Sequence, residues 1–427
     1  MNLKKEIKLS DLLPKRGDKK NAVAVEPAKE EKPKRERKPL FGRGQPKAEK
    51  APKEPRKPRV KEAKPKAARK SVGRKKKFVG LKIGASQIAA AEVVNNGDAS
   101  VVKIVREDLE AGIVVGGELR EPEALATALR QFFKKNGLSR QNVRLGISNN
   151  RIGVRMFEIG GIDDPKQLTN AIRYRAQEVL PIPIEEAVLD YHVLSEYTDD
   201  EGHLKRRVLL VVAYRDLVDR YAAACKGAGL RLAGIDLEAF ALLRALAPPT
   251  NGAEPGTAAL VVVSVGHDRT TFAVSDGSAC QFTRVLDWGG ASLNASIARA
   301  LDLAPSEAEP IKLSLSLAEP SIPAGLTSEQ SDKVREAVMQ ELQAFARELV
   351  SSLQFYQSQT GSLGIGEIVL TGGTAHLPGF AAELAKLIGV RVRVGDPLAN
   401  VQVAKKVDRE QPLGSLAAAI GLGIEAA

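Results

Sequence analysis

Short apolar segments separated by glycine-containing turns dominate the chain from residue 78 onward. Residues 78–84, 88–94 and 101–105 have the apolar-rich pattern of strands, and Asn95-Asn96-Gly97-Asp98 separates the last two. An Asn-Gly pair between apolar runs predicts a β-hairpin, because a type I′ turn needs positive φ angles. With the helical pattern of residues 121–135, this region predicts strand, glycine turn, strand, hairpin, strand and helix.

The same order recurs about 180 residues later in the chain. Residues 258–265, 270–274 and 280–285 have the pattern of strands, Gly266 lies in the first turn, and residues 292–303 have a helical pattern. Two copies of one unit predict an internal duplication, in which each copy contains a glycine turn and a β-hairpin.

The segment between the two copies predicts a small α+β insert. Asp164 before Pro165 predicts a helix start, with Asp164 as the cap and Pro165 at the first helical position. One face of this helix is apolar, and two prolines end it; these residues are Leu168, Ile172, Ala176, Val179, Pro181 and Pro183. Strand patterns at 187–194 and 207–212 and a helical pattern at 217–228 complete the insert.

A long amphipathic helix is predicted in the second copy. Its apolar residues recur at spacings of three and four and share one face: Val334, Val338, Leu342, Phe345, Leu349 and Leu353. A stripe of this kind is typical of core packing rather than of a partner surface.

The charge of the chain is concentrated in residues 1–77. This tail has 29 Lys and Arg and 10 Asp and Glu, so its net charge is +19, and residues 78–427 have a net charge of −7. It also contains nine of the 23 prolines and shows no apolar periodicity, which predicts a disordered segment. A flexible polycation is attracted to anionic lipid or to nucleic acid, but a solubilising arm with no partner explains the composition equally well.

The cysteines and the longest apolar runs indicate the compartment. Cys225 and Cys280 are far apart and have no CxxC spacing, and the N-terminus lacks the apolar region of a signal peptide. The longest apolar runs, such as residues 208–213, are far shorter than a membrane span. These features predict a cytoplasmic protein that reaches a membrane only peripherally or through a partner.

One segment carries a family resemblance. Residues 174–191, YRAQEVLPIPIEEAVLDY, are similar to the helix-to-strand junction of the type IV pilus assembly family PilM, and residues 79–92, 234–236, 369–374 and 416–422 agree with that family in order and spacing. The resemblance implies an α/β, actin-like fold related to FtsA, a duplicated ribonuclease H-like fold with two halves around a nucleotide cleft. It also implies an insert beside which a groove binds the N-terminal peptide of the membrane protein PilN.

The predicted organisation has five parts. They are a disordered tail (1–77), a first actin-like subdomain (78–142), the inserted α+β subdomain (143–233), a connecting helix that returns to the first half (234–257) and the second actin-like half (258–427).

The resemblance also implies the nucleotide site. Two glycine hairpins would offer backbone N–H groups to phosphates, and a third glycine turn would lie against the nucleoside. The residues at these positions are Lys82, Gly84, Ala85 and Ser86 in the first turn, Gly266, His267 and Asp268 in the second, and Gly372 and Gly373 in the third.

The two positions where the family pattern leads us to expect an acid are occupied by Lys82 and Ser264. A lysine can neutralise a phosphate but cannot hold Mg²⁺. ATP therefore remains the candidate cofactor, whereas Mg²⁺ binding and vigorous hydrolysis are not expected. Asp268 would either restore one carboxylate or cap its own loop. Asp236 fits a helix N-cap better than a catalytic acid.

Metal and hydrolase motifs add nothing to this assignment. His192, His203, His267 and His376 have no metal-ligand spacing, so no metal site is predicted, and the catalytic residues remain unknown. GxSxG and Walker A sequences are also missing, which lowers the expectation of hydrolase or P-loop chemistry.

The tail contains one aliphatic patch. Leu9, Leu12, Leu13 and Pro14 lie in a segment whose LLPKR ending is similar to the peptide by which PilN docks. Docking of this patch in the peptide groove of its own molecule or of a neighbour is one hypothesis. A short amphipathic segment at the membrane surface is the other.

The sequence therefore predicts a cytoplasmic scaffold or adaptor of pilus assembly. Its expected partners are a PilN-like inner-membrane protein, an anionic membrane surface contacted by the tail, and further copies of the chain, whereas nucleic acid is not favoured. The alternatives are an active actin-like ATPase and an FtsA-like membrane-associated protein of cell division or the cytoskeleton.

Overall fold

The computed structural model describes residues 76–162, 164–179, 183–247, 258–319, 322–323, 325–359 and 361–425. The first half is built on a six-stranded sheet. Across the sheet its strands are β10 (Leu232–Leu237), β6 (Val143–Ile147), β1 (Lys76–Ile83), β2 (Gln87–Asn96), β3 (Asp98–Asp108) and β16 (Gln402–Val403). Strands β1, β2 and β3 are antiparallel neighbours, whereas β6 runs parallel to β1 and β10 runs parallel to β6.

Both faces of this sheet are buried, as the alternation along β2 shows. Ile88 and Ala90 join the cluster that contains helices α1 (Pro122–Lys135) and α3 (Arg215–Gly227), whereas Ala89, Ala91 and Val93 pack with helix α9 (Ala417–Gly423). Successive side chains of a strand point to opposite faces, so the two helical layers lie on opposite sides of the sheet. A two-stranded hairpin, β4 (Val114–Val115) and β5 (Glu118–Leu119), precedes α1.

The second half repeats the arrangement in a five-stranded sheet. Its strands are, across the sheet, β13 (Cys280–Leu286), β12 (Thr270–Ser275), β11 (Ala258–Val265), β14 (Gly364–Thr371) and β15 (Val392–Val394). As in the first half, the first three strands along the chain are antiparallel neighbours and the next strand runs parallel to the first. The duplication predicted from the sequence is confirmed at the level of strand pairing.

Four helices accompany the second sheet: α5 (Gly290–Leu301), α6 (Pro305–Ser314), α7 (Ser328–Gln357) and α8 (Phe380–Ile388). The apolar stripe of α7 is buried from Val334 through Leu353, so it is core as predicted. The single tryptophan, Trp288, stacks on Phe345 of this stripe with ring centroids 3.8 Å apart.

The insert is a three-stranded sheet covered by one helix. Strands β7 (Ile152–Gly160), β9 (Leu204–Tyr214) and β8 (Ala187–Thr198) lie side by side, and α2 (Pro165–Val179) packs on them through Leu168, Ile172 and Ala176. Asp164 accepts hydrogen bonds from the backbone N–H groups of Lys166 and Gln167, both at 2.9 Å, so its predicted role as the cap is confirmed.

The predicted boundaries of the parts were too simple. Strands β6 and β10, which the sequence assigned to the insert and to a connecting helix, both belong to the first sheet, and the sheet of the insert spans only residues 152–214. The chain also returns to the first half at its end, because β16 pairs with β3 and α9 packs against β1 and β2. Helix α4 (Glu238–Leu246) lies beside α9.

The turn after β2 also differs from the prediction. Gly97 has a φ of 89°, but in residues 95–98 no other residue has positive φ, so the turn is not of type I′. None of the helices among the described residues combines the length and apolar character needed to cross a bilayer.

Candidate functional site

The two hairpin turns of the duplicated unit have the same internal hydrogen bond. The Gly84 N–H donates to the Gln87 carbonyl at 2.8 Å, and the Gly266 N–H donates to the Arg269 carbonyl at 2.8 Å. We call residues 83–87 the first loop and residues 265–270 the second loop. The shared bond shows that the duplication extends to the conformation of the loops.

Each loop leaves two neighbouring amides available. Within the described part of the chain, no acceptor is present for the backbone N–H groups of Ala85 and Ser86 in the first loop or of His267 and Asp268 in the second. All four residues are partly exposed. Successive unpaired amides in a tight turn form a concave site suited to an anion such as a phosphate oxygen.

The third glycine turn lies against the second loop. Gly372 has a φ of 95°, and a Cβ atom there would lie 2.1 Å from the Val265 carbonyl oxygen. The Thr374 hydroxyl donates to the Gly266 carbonyl at 3.4 Å. The structure therefore brings the second loop and the third glycine turn into contact. The contacts of the first loop are with other residues.

Lys82 lies at the end of β1, just before the first loop, and pairs with an acid. Its Nζ is 3.5 Å from Oε2 of Glu238, the first residue of α4. Both side chains are largely buried, with 16% of Lys82 and 6% of Glu238 exposed. Glu238 was not predicted from the sequence, although an acid at the junction of a strand and a helix is a local signal.

Asp236 does not have the capping role that the sequence suggested. It belongs to β10, its Oδ1 accepts from the Leu237 N–H at 2.8 Å, and its Oδ2 accepts from Arg244. The residue at the N-cap position of α4 is Leu237. Asp236 therefore orients Arg244 instead of starting the helix.

Asp268 reaches across to the first half. Its Oδ2 accepts from the Gly116 N–H, between β4 and β5, at 2.8 Å. It therefore makes a contact between the halves, which the sequence did not predict. Its neighbour Arg269 lies beside the same turn, with its Nη2 3.4 Å from Asp287.

A buried lysine, Lys312, is connected to the second glycine turn through Gly290. Lys312 of α6 donates to the Gly290 carbonyl at 3.2 Å, and the Gly290 N–H donates to the Gly266 carbonyl at 2.9 Å. Burial lowers the pKa of the Lys312 ammonium, and the carboxylate of Glu309 lies 4.0 Å from it. In the sequence Lys312 resembles an ordinary exposed helix lysine, so no local pattern indicated it.

The remaining sequence candidates lie apart from this region. Leu9, Leu12, Leu13 and Pro14 fall outside the described residues. His203 shares the tip of the β8–β9 hairpin with Asp199 and Glu201, whose carboxylates lie 3.8 and 3.6 Å from its Nδ1. Asp199 already accepts the backbone N–H groups of Glu201 and His203 and lies 3.4 Å from Lys205, so its oxygens serve the turn itself.

A family model and a solved structure match this chain. A family model described as type IV pilus assembly protein PilM matches residues 80–427. A solved structure, the PilM-PilN type IV pilus biogenesis complex, superposes with a TM-score of 0.68 at 26% identity, covering 81% of this chain and 97% of that one.

The chain is also similar to cell division protein FtsA. The FtsA of Streptococcus pneumoniae is 24% identical over 357 residues, 76% of this chain and 77% of that protein. The FtsA of Escherichia coli K12 is 25% identical over 364 residues, 76% of this chain and 85% of that protein. With the two matching sheets and the insert between them, these findings show that the chain has the actin-like fold and belongs to the PilM family of type IV pilus assembly proteins.

Proposed function

We propose that this protein is a scaffold of the pilus assembly machine, which binds a nucleotide in the cleft beside its glycine loops and hydrolyses it weakly or not at all. The observation that carries this proposal is the pairing of Lys82 with Glu238 at the base of the first loop. A cation occupies the position where a catalytic cleft would need a free carboxylate.

Binding of a nucleotide is supported by the available amides and the buried lysine. Ala85, Ser86, His267 and Asp268 provide four N–H groups suited to phosphate oxygens. Lys312, behind the second loop, adds a buried positive charge. The chemistry of these donors fits ATP or ADP.

Hydrolysis is disfavoured because the nearby acidic side chains already have partners. Glu238 is held by Lys82, and Asp268 accepts the Gly116 N–H. A Mg²⁺ ion is bound through carboxylate oxygens, and in each of these two acids one oxygen already has a partner. The residues present therefore fit the phosphates better than the metal.

The partner that we propose is the N-terminal peptide of a PilN-like inner-membrane protein, bound beside the insert. Family membership and the likeness to the PilM-PilN complex support this partner. We further propose a location at the inner face of the plasma membrane, with the basic tail contacting anionic lipid and with self-association of the chain. The charge of residues 1–77 supports the lipid contact.

The nucleotide proposal is tested by calorimetric titration of the full chain with ATP, with and without Mg²⁺, while phosphate release is followed. The expected result is binding that does not need the metal, with little release. Lys312→Ala should weaken binding about tenfold or more, since a charged group of the site is lost, whereas Lys386→Ala on the exposed face of α8 should not. Turnover that requires Mg²⁺ would establish an active ATPase instead.

The scaffold proposal has a separate test. Addition of a PilN-like N-terminal peptide should slow hydrogen exchange in residues 152–214, where the insert lies, and a scrambled peptide should not. Exchange that stays unchanged throughout the insert contradicts this partner site.

The similarity to FtsA supports one alternative function, a role in cell division. In that role the chain would bind a division protein in a pull-down, and the PilN-like peptide would leave hydrogen exchange in residues 152–214 unchanged.

A further inference from the structure

The two halves of the molecule touch at a contact between the second loop and the turn that joins β4 to β5. Asp268 and Arg269 of the second loop lie against the turn formed by Gly116 and Gly117 between β4 and β5. We call these four residues the latch. The Gly116 N–H donates to Asp268 Oδ2 at 2.8 Å, a bond between residues 152 positions apart in the chain.

The guanidinium of Arg269 fills the space next to the two glycines. A Cβ atom on Gly116 would lie 2.8 Å from Arg269 Nη2, and one on Gly117 would lie 3.1 Å from Nη1 and 2.6 Å from the Ser148 carbonyl oxygen. Both glycines have positive φ, 59° and 69°. The turn therefore accommodates the arginine only because it has no side chains.

Arg269 is incompletely satisfied in this position. Its Nε and Nη1 are buried, and neither has a hydrogen-bond partner among the described residues. Its Nη2 lies 3.4 Å from the carboxylate of Asp287, which is 68% exposed. A buried donor without an acceptor raises the free energy of the state that contains it, and separation of the halves would return these groups to water.

Other polar contacts join the second half to the rest of the structure. Next to the latch, the hydroxyl oxygens of Ser148, just after β6, and Thr271, in β12, are 2.7 Å apart. At the other end of β12 and β13, Arg207 of the insert donates to Gln281 at 3.1 Å. The cavity lined by Ser148 and Thr271 is only ≈ 10 Å³, about the space of one water, so the halves are closed together here.

We infer that the latch holds the two halves in the closed arrangement and releases reversibly, so that it controls opening of the cleft. Asp268 contributes a charge-assisted bond that favours closure, whereas Nε and Nη1 of Arg269, which have no partner among the described residues, favour release. The latch also affects the conformation of the second loop, because the Arg269 carbonyl accepts the Gly266 N–H within that loop. This inference does not depend on nucleotide binding, and its test uses none.

The test is hydrogen exchange of the full chain, followed by mass spectrometry. In Asp268→Ala, exchange in residues 112–120 and 266–272 should rise about tenfold, the factor that one charge-assisted hydrogen bond is worth, while α1 stays as protected as in the wild type. Asp332→Ala removes an exposed acid of α7 and should change neither segment. Unchanged exchange in both latch segments, or an equal rise in α1, overturns the inference.

A second pair of variants tests the role of Arg269. Gly116→Ala places a Cβ against the guanidinium, so its effect on exchange in residues 112–120 should be smaller in an Arg269→Ala background than in the wild type. The strain of an alanine at positive φ is the same in both backgrounds and cancels. Equal effects in the two backgrounds contradict the contact. If Asp268→Ala does not fold, Asp268→Asn keeps an acceptor without the charge and should produce a smaller rise in the same two segments.

Discussion

The ammonium group of Lys82 lies 3.5 Å from the carboxylate of Glu238, although 156 positions separate the two residues in the chain. Lys82 is the last residue but one of β1, and Glu238 begins α4, so the pair joins the first strand of the sheet to the helix that follows β10. Because both side chains are largely buried, each charge depends on the other.

Replacement of Lys82 by alanine should destabilise the protein by roughly 3 kcal/mol, because it leaves the Glu238 carboxylate buried without its partner. Urea unfolding measures this change. Glu238→Gln in the Lys82→Ala background should restore much of the loss, since no unpaired charge remains. A loss that is the same with and without Glu238→Gln contradicts the coupling.

The exposed ion pair of α7 is the matched control. Lys333 and Glu329 are 2.8 Å apart, but both side chains lie largely in solvent. Lys333→Ala should leave the unfolding midpoint unchanged within error, because exposed pairs contribute little.

Gly421→Ala should be strongly destabilising. A Cβ atom at this position of α9 would lie 1.8 Å from the Ala241 carbonyl oxygen of α4, so the two helices must separate. We expect a loss of about 3 kcal/mol or more in the free energy of unfolding. Gly364→Ala, where a Cβ atom meets nothing within 4 Å, should be close to neutral in the same measurement.

The stability should fall on mild acidification, in part through His376. Its Nε2 accepts the Gly414 N–H at 3.1 Å, and partial burial and the nearby Arg106 lower its pKa from 6.5. The unfolded chain therefore takes up this proton first as the pH falls below 6.5, and the free energy of unfolding decreases until the lower pKa of the folded state has been passed.

Urea unfolding at a series of pH values tests this contribution. His376→Gln keeps an acceptor but cannot titrate, so its stability should fall less than that of the wild type between about pH 7.5 and about pH 5.5. His203→Gln, at an exposed hairpin tip, is the control and should follow the wild type. Parallel curves for all three proteins would show that His376 makes no contribution.

Both cysteine thiols should be unreactive in the folded protein. Burial raises the pKa of Cys225 and of Cys280 to about 12, so neither forms a thiolate at neutral pH. A thiol reagent should therefore label none in the native state and both in guanidinium chloride. Single Cys225→Ser and Cys280→Ser variants should each label once in denaturant, and rapid native labelling of either would contradict the burial.

The elements with a strong local pattern were predicted well. The duplicated strands, the positions of Gly84 and Gly266 in turns, and the stripe of α7 all follow from the spacing of apolar residues and from glycine at tight turns. Strand β6 shows the limit of this information. Its five residues are all buried and pair with β1 and β10, but a short apolar run does not reveal which sheet it joins.

The residues of the candidate site also differ in how far the sequence revealed them. Gly84, Gly266 and Gly372 could be found because a glycine in a turn is a local feature. Glu238, Arg269 and Lys312 were missed, because their roles come from contacts with residues far away in the chain.

The sequence by itself determined the repeated unit, its loops, the capped helix of the insert and the uneven distribution of charge, since each depends on residues that are near one another in the chain. The tertiary structure decided which groups the acids near the two loops contact. It pairs Lys82 with Glu238 and directs Asp268 to Gly116, and burial makes those distant pairings strong enough to set what each group can do.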